Sequence, residues 1–324
     1  MSARARLYDA RAEDRDVELT RESLAAALTK ADDRRLVWID VDSRSESELD
    51  SIAQALDLEE RVIDQLTTEG RRANILRFPD RIVVTLGLLQ KNGDGELRRQ
   101  ELDVLVGRNL VVAVHEGAIA AIDAFEEELS YERGLGELDA GAFMTGLVDA
   151  VLSTYFREID EIDKQIERLD QLALRAAAGD QFLDEVVRLR RRIAQVRRAL
   201  VPNREALGPL VRPDFEVHED LVRAWPGTFD RLERAIDAIE KSRELLVGSF
   251  DIYLGRASQR SNDVMKLLTV VSAIALPPIV LAGVMGMNFQ IPFFESPGNF
   301  FVVVSVMVVF ALVIIGVAKA RDWI

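Results

Sequence analysis

Cysteine is absent from all 324 residues, so neither a disulfide nor a thiolate metal site can form. Histidine is almost as scarce: His115 and His218 are too few for an ordinary structural zinc centre. The N-terminal stretch MSARARLYDARAED lacks the apolar core of a signal peptide, which predicts that everything before the first membrane span stays on the cytoplasmic side. No Walker loop, zinc signature or nucleophile–base pair occurs, and Gly134-Leu135-Gly136 is a bare GxG that reads as a loop. The chain therefore does not read as an enzyme and calls for no catalytic cofactor. Positive charge is in deficit too: 41 Lys and Arg stand against 55 Asp and Glu, a formal net charge of −14. Residues 266–324 hold Lys266, Lys319 and Arg321 against Glu295 and Asp322, a balance of +1, so residues 1–265 carry −15. Such a balance argues against nucleic acid, whose binding depends on neutralising phosphates. It suits a protein that concentrates cations, and equally one whose acidic surface serves solubility.

Long apolar runs are present, but only near the C-terminus. No charge interrupts Leu267 to Phe294 or Ser296 to Ala318, and each run is long enough to cross a bilayer as a helix. Spans are expected at 267–288 and 300–318, joined by a short loop, 289–299, and followed by a tail, 319–324. So short a loop forces the spans antiparallel, with both chain ends on one side. Lys266 before the first span and Lys319 and Arg321 after the second place that side in the cytoplasm. The expected location is the inner membrane. Two spans cannot enclose a pore within one chain, so any transport role requires a symmetric oligomer with one helix per subunit at the axis.

Upstream, Val148, Leu152, Tyr155, Ile159, Ile162, Ile166 and Leu169 follow the alternating four-three step of a heptad. The pattern resumes at Val186, Leu189, Ile193, Val196 and Leu200, with Gly179-Asp180 as helix stop and cap between. These predict a helical hairpin within 142–227. A third run starts after Pro226-Gly227, with Thr228 as expected N-cap, and continues through Phe229, Leu232, Ile236, Ile239, Leu246, Phe250 and Tyr253. It forms a stalk, 228–266, that leads directly into the first span. Residues 1–141 read differently. LVWIDV, IVVTLGLL, LDVLVG and LVVAVHEG are strand-like, KNGDG is a hairpin signal, and SESELDSIAQALD and EERVIDQL are short amphipathic helices. The fold class is thus a mixed α/β cytoplasmic domain, a long helical stalk and two C-terminal transmembrane helices.

At the end of the first span stands Gly286-Met287-Asn288, within VMGMNFQIP. With SNDVMKLLTVVSAIALPP before it and the Arg-Asp-Trp-Ile terminus after, the chain resembles the CorA family of divalent-cation channels, whose hallmark is this tripeptide in this place. Physically, Mg²⁺ dehydrates reluctantly, so a filter can hold the hydrated ion with neutral oxygens. Asn288 can offer a side-chain oxygen once per subunit, and Gly286 can let the chain leave the helix and expose carbonyls. Met287 suits packing, since a thioether matches a hard cation poorly.

Met265, Leu268, Ser272, Leu276 and Ile279 share one helix face; facing an axis, they would form an apolar constriction able to gate by dewetting. Ordinary packing of one span on the other fits the spacing as well. The resemblance implies pore positions at Met265, Leu268 and Leu276, with Asn262 and Asp251 on the cytoplasmic extension. Ile279 departs from the threonine that many members have there. Glu295, the only charge of the external loop, could attract cations, and Lys266, Lys319 and Arg321 resemble a basic collar at the pore exit. The resemblance further implies a CorA-like funnel, a homopentamer, Mg²⁺ as cargo and as cytoplasmic regulator, and Co²⁺ or Ni²⁺ as possible further cargo. No regulatory metal residues can be carried over, because the expected stalk carboxylate falls at Gly227, with Asp230 a turn on. The nearest rival is a ZntB-like Zn²⁺ carrier coupled to protons. Another class of rival is a membrane-anchored coiled-coil scaffold or sensor, which would carry no ion.

Overall fold

A computed structural model describes residues 3–9, 15–29, 35–93, 95–131, 139–174, 179–212, 225–287, 297–321 and 323. The chain divides into two units, 1–171 with 178–248 and 172–177 with 249–324.

The first unit is built on a seven-stranded sheet of order β2-β1-β3-β7-β6-β5-β4. Its strands are β1 (Ala3–Asp9), β2 (Arg15–Asp16), β3 (Arg35–Val41), β4 (Asn74–Arg77), β5 (Ile82–Lys91), β6 (Leu97–Val106) and β7 (Leu110–His115). The β3–β7 pair is parallel and every other pair antiparallel. Strands β3, β5 and β7 are buried almost throughout, because both sheet faces are covered; such strands read as continuous apolar runs. Val37, Ile39 and Val41 point to one face. There they join Val83, Leu105, Val112 and Val114 under helices α1 (Arg21–Thr29), α2 (Glu46–Leu56) and α3 (Glu60–Thr67). On the other face Trp38 meets Phe143, with ring centroids 4.9 Å apart. Phe143 lies on α5 (Ala140–Ala173), and it also packs edge-on against Phe125 of α4 (Ala120–Tyr131). The sequence reading had no strand before LVWIDV; yet the alternation of Arg-Ala-Arg-Leu from Arg4 to Leu7 puts Ala5 and Leu7 into the core and makes β1.

Helix α5 and α6 (Gly179–Leu200) form the hairpin. All seven heptad positions of α5 named above are at most 2% exposed. Helix α7 (Asn203–Leu207) and a 3-10 turn, Gly208–Val211, follow. A single helix then runs from Trp225 to Met285, 61 residues, roughly 90 Å at 1.5 Å per residue. It begins three residues before the expected N-cap Thr228, which is buried at 3%. The physical reason is that Pro226 fits a first helical turn, where its missing N–H would have no partner anyway, while Trp225 is fully buried and anchors the start. Within the first unit this helix buries Trp225, Leu232, Ile239 and Leu246, seven residues apart. Between them lie the smaller Ala235 and Ser242, also buried, with the Ser242 hydroxyl donating to Asp163 of α5 at 2.6 Å.

The second unit contains the rest of the long helix and the C-terminal helix, Pro297–Ala320. Both are long and apolar enough to cross a membrane. Pro277 and Pro278 lie inside the long helix without ending it; prolines are tolerated in membrane helices when neighbouring groups take up the freed carbonyls.

Candidate pore-facing surface

Beyond Ser249 most of the long helix is exposed. Met265, Leu268, Leu276 and Ile279 are 58, 57, 64 and 65% exposed, and Ser272 between them is exposed as well. Half a turn round, Val270 is 4% exposed, and Ala273, Ile274, Pro277 and Pro278 are partly covered. The chain therefore covers a narrow strip around Val270 and leaves most of this helix free, Val264, Leu267, Val271 and Val280 as much as Met265 to Ile279.

The stripe continues towards the N-terminus through Asn262 and Asp251, both exposed. Lys266, a quarter-turn aside, pairs with Asp263 at 3.5 Å, and Asp263 also accepts a hydrogen bond from Gln259 at 3.2 Å. Thr269, about five turns from Asp251, shares the edge of the stripe with Asp251 and Asn262; its hydroxyl donates to the carbonyl of Met265 at 2.7 Å. Lys319 sits in the last turn of the C-terminal helix, and Arg321 closes that helix by donating its backbone N–H to Val317 at 3.1 Å.

At the other end, the Gly286 N–H donates to Ala282 at 3.0 Å and the Met287 N–H to Val284 at 3.2 Å. The last bond spans three residues, so the helix tightens as it stops. Gly286 does not adopt a positive φ, and a Cβ there would meet Ala282 and Gly283 carbonyls at 3.4 and 3.5 Å, with φ ordinary. The helix thus ends without the left-handed backbone that only glycine adopts freely. Asn288 and Glu295 lie outside the described residues, as do His218 and the Gly134–Gly136 loop.

Among the described residues no group of three or more His, Asp or Glu is arranged to hold a metal. Gly227 lies in the first turn of the long helix, with open space around its Cα. Two buried ionic clusters in the sheet unit are saturated by their own members. In the first, His115 Nε2 lies 2.8 Å from Asp40 Oδ1, its Nδ1 lies 2.6 Å from the Gly117 carbonyl, and Arg4 donates to Asp40 at 2.9 Å. Burial would raise the Asp40 pKa, but the hydrogen bonds and charges of His115 and Arg4 hold it below the ordinary value. In the second, Arg44 pairs with Asp103 at 2.6 Å, both nearly inaccessible. Thr85 donates to the same carboxylate and in turn accepts from Gln65 at 2.7 Å. Here burial prevails and raises the Asp103 pKa, against Arg44 and Thr85.

A family profile described as "CorA-like Mg2+ transporter protein" matches residues 33–319. The chain is 25% identical to the cobalt/magnesium transport protein CorA of Thermotoga maritima, over 81% of this chain and 76% of that protein. It is 22% identical to the zinc transport protein ZntB of Yersinia pseudotuberculosis, over 82% of this chain and 81% of the relative. The complete structure of the CorA magnesium transporter from Methanocaldococcus jannaschii superposes with a TM-score of 0.78 at 22% identity, covering 100% of this chain and 99% of the other.

Proposed function

Since the chain belongs to the CorA-like Mg²⁺ transporter family, we propose that it is one subunit of a homopentameric divalent-cation channel of the inner membrane, with both termini cytoplasmic. Mg²⁺ is its main cargo, and Co²⁺ or Ni²⁺ can follow the same path. The observation that carries this reading is the long apolar helix, left largely uncovered by its own chain and carrying the line from Met265 to Ile279 towards Gly286-Met287. A stripe left bare by its own chain, on a helix that by itself encloses nothing, fits a symmetric assembly in which each subunit turns the same face to one axis.

At the outer mouth the Asn288 side-chain oxygen, with carbonyls near Gly286 and Met287, receives the hydrated ion. Glu295 raises the local cation concentration. Met265, Leu268, Leu276 and Ile279 form a dry neck that conducts only when wetted. Asn262 and Asp251 meet the ion beyond it, and Lys266, Lys319 and Arg321 collar the exit. Cytoplasmic Mg²⁺ holds the closed state by binding it better than the open one.

The test is uptake into proteoliposomes by the wild type and Asn288→Ala, with Mg²⁺ or Zn²⁺ offered with and without a pH gradient. Voltage-driven Mg²⁺ entry that the substitution abolishes supports the reading. Zn²⁺ entry that requires the proton gradient would instead place the chain with ZntB-like carriers. No flux of any metal would leave a membrane-anchored scaffold.

A further inference from the structure

The line of Met265, Leu268, Ser272, Leu276 and Ile279 is apolar except at its centre. Met265 and Leu268 lie on the cytoplasmic side of Ser272, and Leu276 and Ile279 on the outer side. At 1.5 Å per residue Ser272 stands about 15 Å from Asn262 and about 21 Å from Gly286. It is exposed, and its hydroxyl has no partner among the described residues. Its neighbour Thr269 is different: that proton is already given to the Met265 carbonyl.

A hydrated Mg²⁺ ion turns water hydrogens outward, so a wall that stabilises it must present acceptors. Leucine, isoleucine and methionine side chains present none of use to a hard, hydrated cation. A serine hydroxyl offers two lone pairs, and one that makes no bond within the chain can turn both towards water. Being neutral, the hydroxyl binds the ion loosely enough to release it, which conduction requires and which a buried carboxylate would oppose.

We propose that Ser272, one hydroxyl per subunit, is the mid-membrane station of the hydrated divalent cation, flanked by a dry ring one turn to either side. This rests on the pore reading above. It assigns the station to Ser272 and makes Ile279 part of the barrier.

The chain has no native cysteine, so a single Ser272→Cys reports directly. In proteoliposomes, Ser272→Ala is expected to lower Mg²⁺ flux about tenfold, the effect of losing roughly one hydrogen bond's worth of stabilisation at the barrier. Ser272→Thr should retain most of it. Ser272→Cys should react with a water-soluble methanethiosulfonate reagent, lose flux on reaction, and be protected by Mg²⁺. Wild-type flux that depends on Asn288, together with unchanged flux in Ser272→Ala and an unreactive Ser272→Cys, would overturn the station and leave the pore reading intact. Absence of wild-type flux, or flux indifferent to Asn288→Ala, would overturn the pore reading and this inference with it.

Discussion

Asn203 turns both ends of its side-chain amide onto the backbone of Gly87. Its Oδ1 accepts the Gly87 N–H at 2.8 Å, and its Nδ2 donates to the Gly87 carbonyl at 2.9 Å. The same carbonyl also accepts the Tyr155 hydroxyl at 2.8 Å. Strand β4 pairs with β5 only as far as Thr85, so the amide of α7 takes over where the neighbouring strand stops. It satisfies a buried N–H that would otherwise be orphaned and shares the carbonyl with Tyr155.

Replacing Asn203 by Leu should therefore destabilise the sheet unit by about 1–3 kcal/mol, the cost of one buried N–H left unpaired, since the Gly87 carbonyl keeps the Tyr155 hydroxyl. Gly87→Ala should also destabilise, because its Cβ would sit 2.8 Å from the Ala199 carbonyl. Denaturant unfolding of the full chain in detergent, followed by tryptophan fluorescence, checks both. Unchanged midpoints would show that the amide is incidental.

Arg44 and Asp103 are 4% and 2% exposed. Arg44→Met leaves the carboxylate without its cation and should cost about 3–5 kcal/mol, whereas Arg44→Met with Asp103→Leu should recover much of that loss. The same unfolding measurement decides it, and a double variant as unstable as the single would refute the pairing argument.

The Asp40 carboxyl titrates below its ordinary value in the folded chain. A depressed folded pKa contributes stability that is complete above the unfolded value, about 3.9, and lost as pH falls through the folded one. The stability advantage of the wild type over Asp40→Asn should thus shrink as pH drops below about 4. An advantage that persists undiminished at lower pH would contradict the assignment.

Leu268→Ser introduces a hydroxyl into the dry neck on the cytoplasmic side of Ser272. Wetting should become easier, and Mg²⁺ flux at saturating internal Mg²⁺ should rise about tenfold. A rate equal to that of the wild type would mean that the neck lies elsewhere.

Much of this protein was legible without coordinates. The heptads of α5 and α6, the uncharged runs and the Gly-Met-Asn tripeptide are local patterns, and the face a helix residue occupies follows from its number. The first strands and Asn203 were not legible. Arg-Ala-Arg-Leu is too short and too charged to announce β1. Nothing local marks an asparagine whose partner is 116 positions away.

The sequence alone determined the class: two spans, an acidic extramembrane part without cysteine, and a motif that directed attention to the end of the first span. Periodicity and solvent preference act over a few residues, so they survive in one dimension. Only tertiary structure decided which residues of the long helix the chain covers. Burial of Val270 and exposure of Leu268 and Ser272 reflect where the rest of the chain packs, and residues two apart on one helix are alike in sequence terms until something covers one of them.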